Sequence, residues 1–209
     1  MKTADDFFII GIPSIDTRID LYAMNTIGDV PYAMHKSKIL ASSDKIGIFE
    51  TRNIIKNKIA EALDKIGVEH GDVIRMLWLD SDIKIYTASD KVAAEFVEAD
   101  KNHWNMIGEY HALWTNQQIV STLCRPNDTG SYTTLVSDEL KKYENYEPLP
   151  RGYVGGLGFY YGDFDLRYNF NMHDFGEDVN FFKYMYNTYP DYKLTKSKVA
   201  LGHIKQMII

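Results

Sequence analysis

The sequence predicts an α/β fold with a mostly parallel central sheet flanked by helices, and three observations predict it. FFIIGI (7–12) and MLWL (76–79) are unbroken apolar runs of strand length, as strands covered on both faces require. Each run stops abruptly, the first at Pro13-Ser14 and the second at Asp80-Ser81-Asp82. Between them, TRNIIKNKIAEALDKIG (51–67) sets Ile55, Ile59, Leu63 and Ile66 on one helical face, with Glu61 and Lys65 paired outside and Gly67 as the stop. Strands alternating with helices imply parallel pairing through right-handed crossovers, with ligands gathered at the carboxyl edge of the sheet.

The elements follow in order. After the first strand, Ile15, Ile19, Tyr22, Ala23 and Ile27 form a helical stripe that ends at Gly28. VPYAMHK (30–36) is a second strand, which makes DVIRMLWLDSD the third of a βαβαβ half. SDKVAAEFVEA reads as a helix capped by Ser89, NMIGEYHALW as a strand, and TTLVSDELKKY as another helix. ENYEPLPRG is a loop, and VGGLGFYYG is a strand or turn. EDVNFFKYMYNTY is a helix with Val179, Phe182 and Tyr186 on one face, and SKVALGHIKQMII is a terminal strand.

A length of 209 residues suits a single domain, and 45% hydrophobic residues can supply its core. No composition shift or repeat divides the chain. The net charge of −6, with acids and bases interleaved, offers no basic field for a phosphate backbone, so nucleic acid is not an expected partner. Cys124 is alone, which fits a reducing compartment. MKTADDFFII is too short and too acidic for a signal peptide or membrane span, so a soluble, cytoplasmic protein with no integral membrane segment is expected. The Asn127-Asp128-Thr129 sequon carries no weight in that setting.

Asp80 and Asp82 raise the central chemical question. On an extended chain, side chains two apart face the same way, so both carboxylates reach one place and repel each other unless a cation intervenes. All-oxygen ligands suit Mg²⁺ or Mn²⁺, which accept one or two carboxylates and fill their other positions with water and phosphate. The bland alternative is a solvated strand end, where aspartate is common. Nucleotide fingerprints of other kinds are missing: there is no GxxxxGK[ST], and the glycines of GGLGFYYG do not fit GxGxxG. Arg52-Asn53 opens a helix near the strand ends, where an anion is favoured; Arg18, one turn into the first helix, is an alternative phosphate partner. Trp78 and Trp104 are both candidates to stack on a sugar, with the apolar neighbours of Trp78 favouring the core for it, whereas His103 and His111 show no ligand-like spacing. Gly155, Gly156 and Gly158 either admit a substrate close to the backbone or accommodate a bulge.

Several of these stretches together resemble the GT-A fold glycosyltransferases, enzymes with a Rossmann-like nucleotide-diphospho-sugar domain and an Asp-x-Asp metal element. IIGIPSIDTR resembles their first strand and donor loop, ETRNIIKNKI the helix whose Arg-Asn faces the nucleotide, and MLWLDSDI the metal motif. GGLGFYY is similar to their Gly-aromatic acceptor wall, GEDVNFF to a Glu-Asp element opening a late helix, and VALGHIK to a C-terminal strand carrying a histidine. These stretches span nearly the whole chain in family order, and the compact length is similar to that of small members from archaeal viruses.

The resemblance implies one GT-A domain over 1–209, with residues 1–83 as the nucleotide-sugar half and 84–209 as the acceptor half. It implies Mn²⁺ or Mg²⁺ on Asp80, Asp82 and His203, and a UDP- or GDP-sugar donor against Pro13, Ser14, Arg18, Arg52, Asn53, Asp80 and Ser81. Asp178 would be the general base, with Glu177 second, for displacement onto the hydroxyl of a glycan, protein or lipid acceptor; the Glu-Asp element leans towards inversion, while a metal-binding histidine is compatible with either outcome. An acidic first turn is also what the helix dipole alone favours. A lone histidine in a strand is more often a packed or hydrogen-bonded core residue than a ligand. Two other functions share these residues. A nucleotidyltransferase would normally add a Gly- and Lys/Arg-rich loop that GIPSIDTR lacks. A nucleotide- or carbohydrate-binding protein would bind donor without turnover.

Overall fold

The computed structural model describes residues 1–13, 47–80, 83–85, 87, 89–108, 112–113, 151, 156–171, 176–199 and 201–204. After a 3₁₀ turn at Ala4–Asp6 come β1 (Ile9–Gly11), α1 (Ile48–Lys65), β2 (Val73–Leu79), β3 (Ile83–Ile85) and α2 (Ser89–Asn102). Then follow β4 (Asn105–Ile107), β5 (Ala112–Leu113), β6 (Phe159–Asp165), α3 (Glu177–Thr188), β7 (Leu194–Lys196) and β8 (Leu201–Ile204). The expected helix over 14–28, strand over 30–36 and helix over 133–143, and most of the loop over 144–152, lie outside the described residues.

Five strands form the main sheet in the order β1-β2-β6-β4-β7. β1 and β2 pair directly and in parallel, as do β4 and β7, while β6 runs antiparallel to both β2 and β4. The sheet is therefore mixed, where the sequence suggested one mostly parallel. An apolar run shows that a strand is buried but not which way it points. Here β6 starts where β2 ends, and the Asp80 N–H donates to the Gly158 carbonyl at 2.7 Å. A second sheet, β3-β8-β5, lies beyond the acidic tip, with β8 antiparallel to β3 and parallel to β5.

The pleat divides the core in two. Ile9, Met76, Trp78, Tyr160 and Phe164 face one cluster with Ile55, Ile59 and Leu63 of α1 and Phe181, Phe182 and Met185 of α3. Ile10, Leu77, Leu79, Phe159 and Tyr161 face the other, with Val92, Phe96 and Ala99 of α2. Burial on both faces is why β1 and β2 read as continuous apolar runs rather than alternating ones. Trp78 is fully buried, as its neighbours predict.

Some details differ from the sequence reading. Ile66 is 56% exposed because it is the C-cap residue of α1, past the last buried turn at Leu63, and Gly67 ends the helix at φ +66°. The buried stripe of α3 is broader than Val179, Phe182 and Tyr186. Phe181 and Met185 are buried with Phe182 and Tyr186, while Val179 is only half-buried. Phe181 stacks on Phe164 at 5.4 Å, so the wide aromatic face of the sheet receives a wide helix face. NMIGEYHALW divides into β4 and β5, which belong to different sheets. At Gly108, just after β4, a Cβ would meet Leu201 Cδ1 at 2.1 Å and Phe159 Cβ at 3.0 Å, so a larger residue there would require these buried side chains to shift.

Candidate functional site

β1 and β2 run in parallel with Gly11 opposite Trp78, so Pro13 and Asp80 both follow strand ends at the same edge of the sheet. Pro13 is buried. The Asp80 carbonyl accepts from Ile83 N–H at 3.1 Å, so the Asp80 amide and carbonyl are both fixed. On the far side, Gly176 caps α3 at φ +89°, a backbone state that a side chain would strain, and launches Glu177 and Asp178 as the first two helical residues.

Arg52 joins these pieces. It lies in the second turn of α1 on the same buried face as Ile55 and Ile59, and it is 1% exposed. Its Nη2 donates to Asp80 Oδ1 at 3.3 Å and stands 3.6 Å from Asp178 Oδ1, while its Nε stands 3.8 Å from Glu177 Oε1. The guanidinium lies over Trp78 at 5.4 Å and Phe170 at 5.9 Å, so its faces meet aromatic rings and its edge meets carboxylates. The cation beside Asp80, among the described residues, is an arginine from α1. Among the described residues, Arg52 Nε and Nη1 and Asp178 Oδ1 have no hydrogen-bond partner.

Burial pushes the Asp178 carboxyl up to about 6; Arg52 opposes the rise and the Glu177 charge adds to it. The Leu157 N–H also bonds Asp178. Because Gly158 accepts from Asp80, the 157–158 backbone ties both acids to the start of β6. This is what part of the glycine-rich stretch does in the fold.

Asn53 and Lys56 hold the segment after β6. The Asn53 amide donates to the Phe170 carbonyl at 2.9 Å and accepts from the Phe170 N–H at 2.8 Å. Lys56 is 4% exposed and its Nζ bonds Tyr168 O and Asn169 Oδ1 at 2.7 Å. Burial lowers the Lys56 pKa, and Asp165 partly offsets this. Asn53, expected to face a nucleotide, is thus engaged with backbone in the described structure. Nothing in the sequence reading assigned Lys56 a role. Its signal was available, since Arg52 and Lys56 are cations four residues apart within the apolar stripe of one helix.

Ser14, Arg18, Ser81 and Asp82 lie outside the described residues, and of His203 only the backbone is described. That backbone pairs β8 with β3 so that His203 is opposite Ile83, the residue directly after Asp82. The register thus brings the histidine's position next to the end of the acidic motif. By residue type, carboxylate oxygens with one imidazole form a donor set that Mg²⁺ or Mn²⁺ accepts. Among the described residues, no three His, Cys, Asp or Glu side chains group as a metal site. Trp104 is half-buried against the α2-side core rather than at this edge. His103 bonds Asp163 at 2.8 Å, and Gly155 and His111 lie outside the described residues.

No protein-family model matches the sequence. No curated protein matches it either. No helix among the described residues is long and apolar enough to cross a membrane.

Proposed function

We propose that this chain is a metal-dependent, hexosyltransferase-like glycosyltransferase with a single GT-A domain, acting on a UDP- or GDP-sugar and transferring the sugar with inversion to an acceptor hydroxyl. The observation that supports it best is the meeting of Asp80, Glu177 and Asp178 around Arg52 at the carboxyl edge of β1 and β2. Asp80, Asp82 and His203 would hold Mn²⁺ or Mg²⁺, which when bound supplies positive charge for the departing diphosphate. Asp178 accepts the proton of the attacking hydroxyl. Its carboxyl, raised to about 6, is ionised at neutral pH yet more basic than an ordinary aspartate. Glu177, on the other side of Arg52, shares the guanidinium charge and takes the second place as base. Pro13, Ser14, Arg18 and Ser81 line the donor side in this reading, and Asn53 fixes the loop behind it. The location is cytoplasmic, and the acceptor is a glycan, protein or lipid.

The test is incubation with a panel of nucleotide sugars, with and without Mn²⁺. Metal-dependent release of nucleoside diphosphate that Asp82→Ala abolishes is the expected result. Pyrophosphate release from a nucleoside triphosphate and a sugar phosphate would instead make it a nucleotidyltransferase. Donor binding without turnover, with acceptors of all three classes present, would make it a binding protein.

A further inference from the structure

The arrangement around Arg52 has more cation donors than it uses. A guanidinium carries five N–H donors, and a buried one normally satisfies most of them. Arg52 is 1% exposed, yet its contacts with the three carboxylates are 3.3, 3.6 and 3.8 Å, at or beyond the long end of hydrogen bonding. Two of its nitrogens, Nε and Nη1, have no hydrogen-bond partner among the described residues. Nη2 faces two acceptors at once, Asp80 Oδ1 and Asp178 Oδ1. The Asp178 oxygen is itself without a hydrogen-bond partner among the described residues. A shift of a few tenths of an ångström exchanges one pairing for the other. The Trp78 and Phe170 rings keep the guanidinium in its slot while it does so.

We propose that Arg52 is the resident counter-ion of this acidic cluster and competes with the divalent cation for Asp80. The inference rests on the metal-dependent reading above. Metal entry at Asp80 displaces the guanidinium toward Glu177 and Asp178, where its spare donors find acceptors. Arg52 is thus a positioning residue: without metal it keeps Asp80 neutralised, and with metal it stiffens the Glu177-Asp178 turn of α3. A purely structural arginine would do the opposite, orienting Asp80 for the ion and so favouring metal binding.

The two roles predict opposite signs in one measurement, Mn²⁺ binding followed by electron paramagnetic resonance with no nucleotide sugar present. Arg52→Met fills the slot over Trp78 without charge. It is expected to bind Mn²⁺ about tenfold more tightly than the wild type, from loss of one adjacent positive charge. Binding by the variant where the wild type shows none supports the proposal equally. Equal or weaker binding by the variant, with the wild type binding normally, overturns the inference and leaves the metal-dependent reading standing. Absence of Mn²⁺ binding in both proteins overturns the reading and the inference together. Should Arg52→Met fail to fold, Arg52 Nε–H resonances of the wild type, assigned through their loss in Arg52→Lys, are followed during Mg²⁺ titration. A saturable shift supports the displacement; an unchanged signal overturns it.

Discussion

Asp178, beside Arg52, shows how burial changes the acidity of an ordinary side chain. The folded Asp178 carboxyl, raised to about 6 by burial, binds its proton more tightly than in the unfolded chain, where it would titrate near 3.8. Its stabilising contribution is therefore complete below about pH 4 and is lost as pH rises through 6. Two outcomes follow at this scale. Turnover should fall as pH drops through about 6, where the base becomes protonated, and a pH–rate profile from 4.5 to 8 checks it. Asp178→Asn should lower kcat by a factor on the order of 10²–10⁴ while leaving donor affinity nearly intact. The same variant should be more stable than wild type at pH 8, by about 1–3 kcal/mol, with the gain shrinking toward pH 4. Thermal melts at the two pH values check the sign. An unchanged kcat would remove Asp178 from the role of base.

At the scale of elements, β6 organises the molecule. It pairs with β2 on one side and β4 on the other, and the 157–158 segment leading into it holds Asp80 and Asp178 together. Its centre must pack tightly against β4. A Cβ at Gly162 would stand 2.3 Å from Asn105 Oδ1 and 2.9 Å from the Asn105 Cα. Asn105 cannot easily retreat. It is 1% exposed, its Oδ1 accepts from Asp163 N–H at 2.7 Å, and its Nδ2 donates to Lys193 O at 3.1 Å. Gly162→Ala is therefore expected to cost about 1–3 kcal/mol in urea unfolding. Donor binding should survive in the folded fraction, because the contact lies away from the acidic tip.

At the scale of the whole molecule, Asp165, which closes β6 onto α3, contributes to acid stability. Burial alone would raise its carboxyl. The Arg167 guanidinium and the Tyr184 and Tyr189 hydroxyls outweigh that and hold it well below the usual carboxylate range. Arg167 Nε and Nη2 contact it at 3.0 and 2.9 Å, and the Tyr189 hydroxyl donates at 2.6 Å. Here the sign is the reverse of Asp178. The stabilisation is present above the ordinary carboxyl pKa and is lost as pH falls through the depressed folded value. Asp165→Asn should lose about 2–3 kcal/mol at pH 7, and the difference from wild type should narrow as the pH approaches 2. A difference independent of pH would rule out the charged carboxylate as the cause.

The sequence by itself determined which segments are buried strands and helices where the apolar pattern is strong, as in MLWL and in the Ile55–Ile59–Leu63 stripe, because burial on a regular backbone imposes a period. It also exposed the acids that end β2 and open α3, since glycine at φ +89° and an acidic first turn leave a local trace. Only the tertiary structure decided that β6 runs against β2, because direction depends on how the intervening chain returns rather than on the strand's own composition. Likewise, only the fold could show that Arg52, 28 residues before Asp80 and more than 120 before Asp178, is the cation they share. Charge pairing acts over a few ångströms of space, and sequence separation carries no record of it.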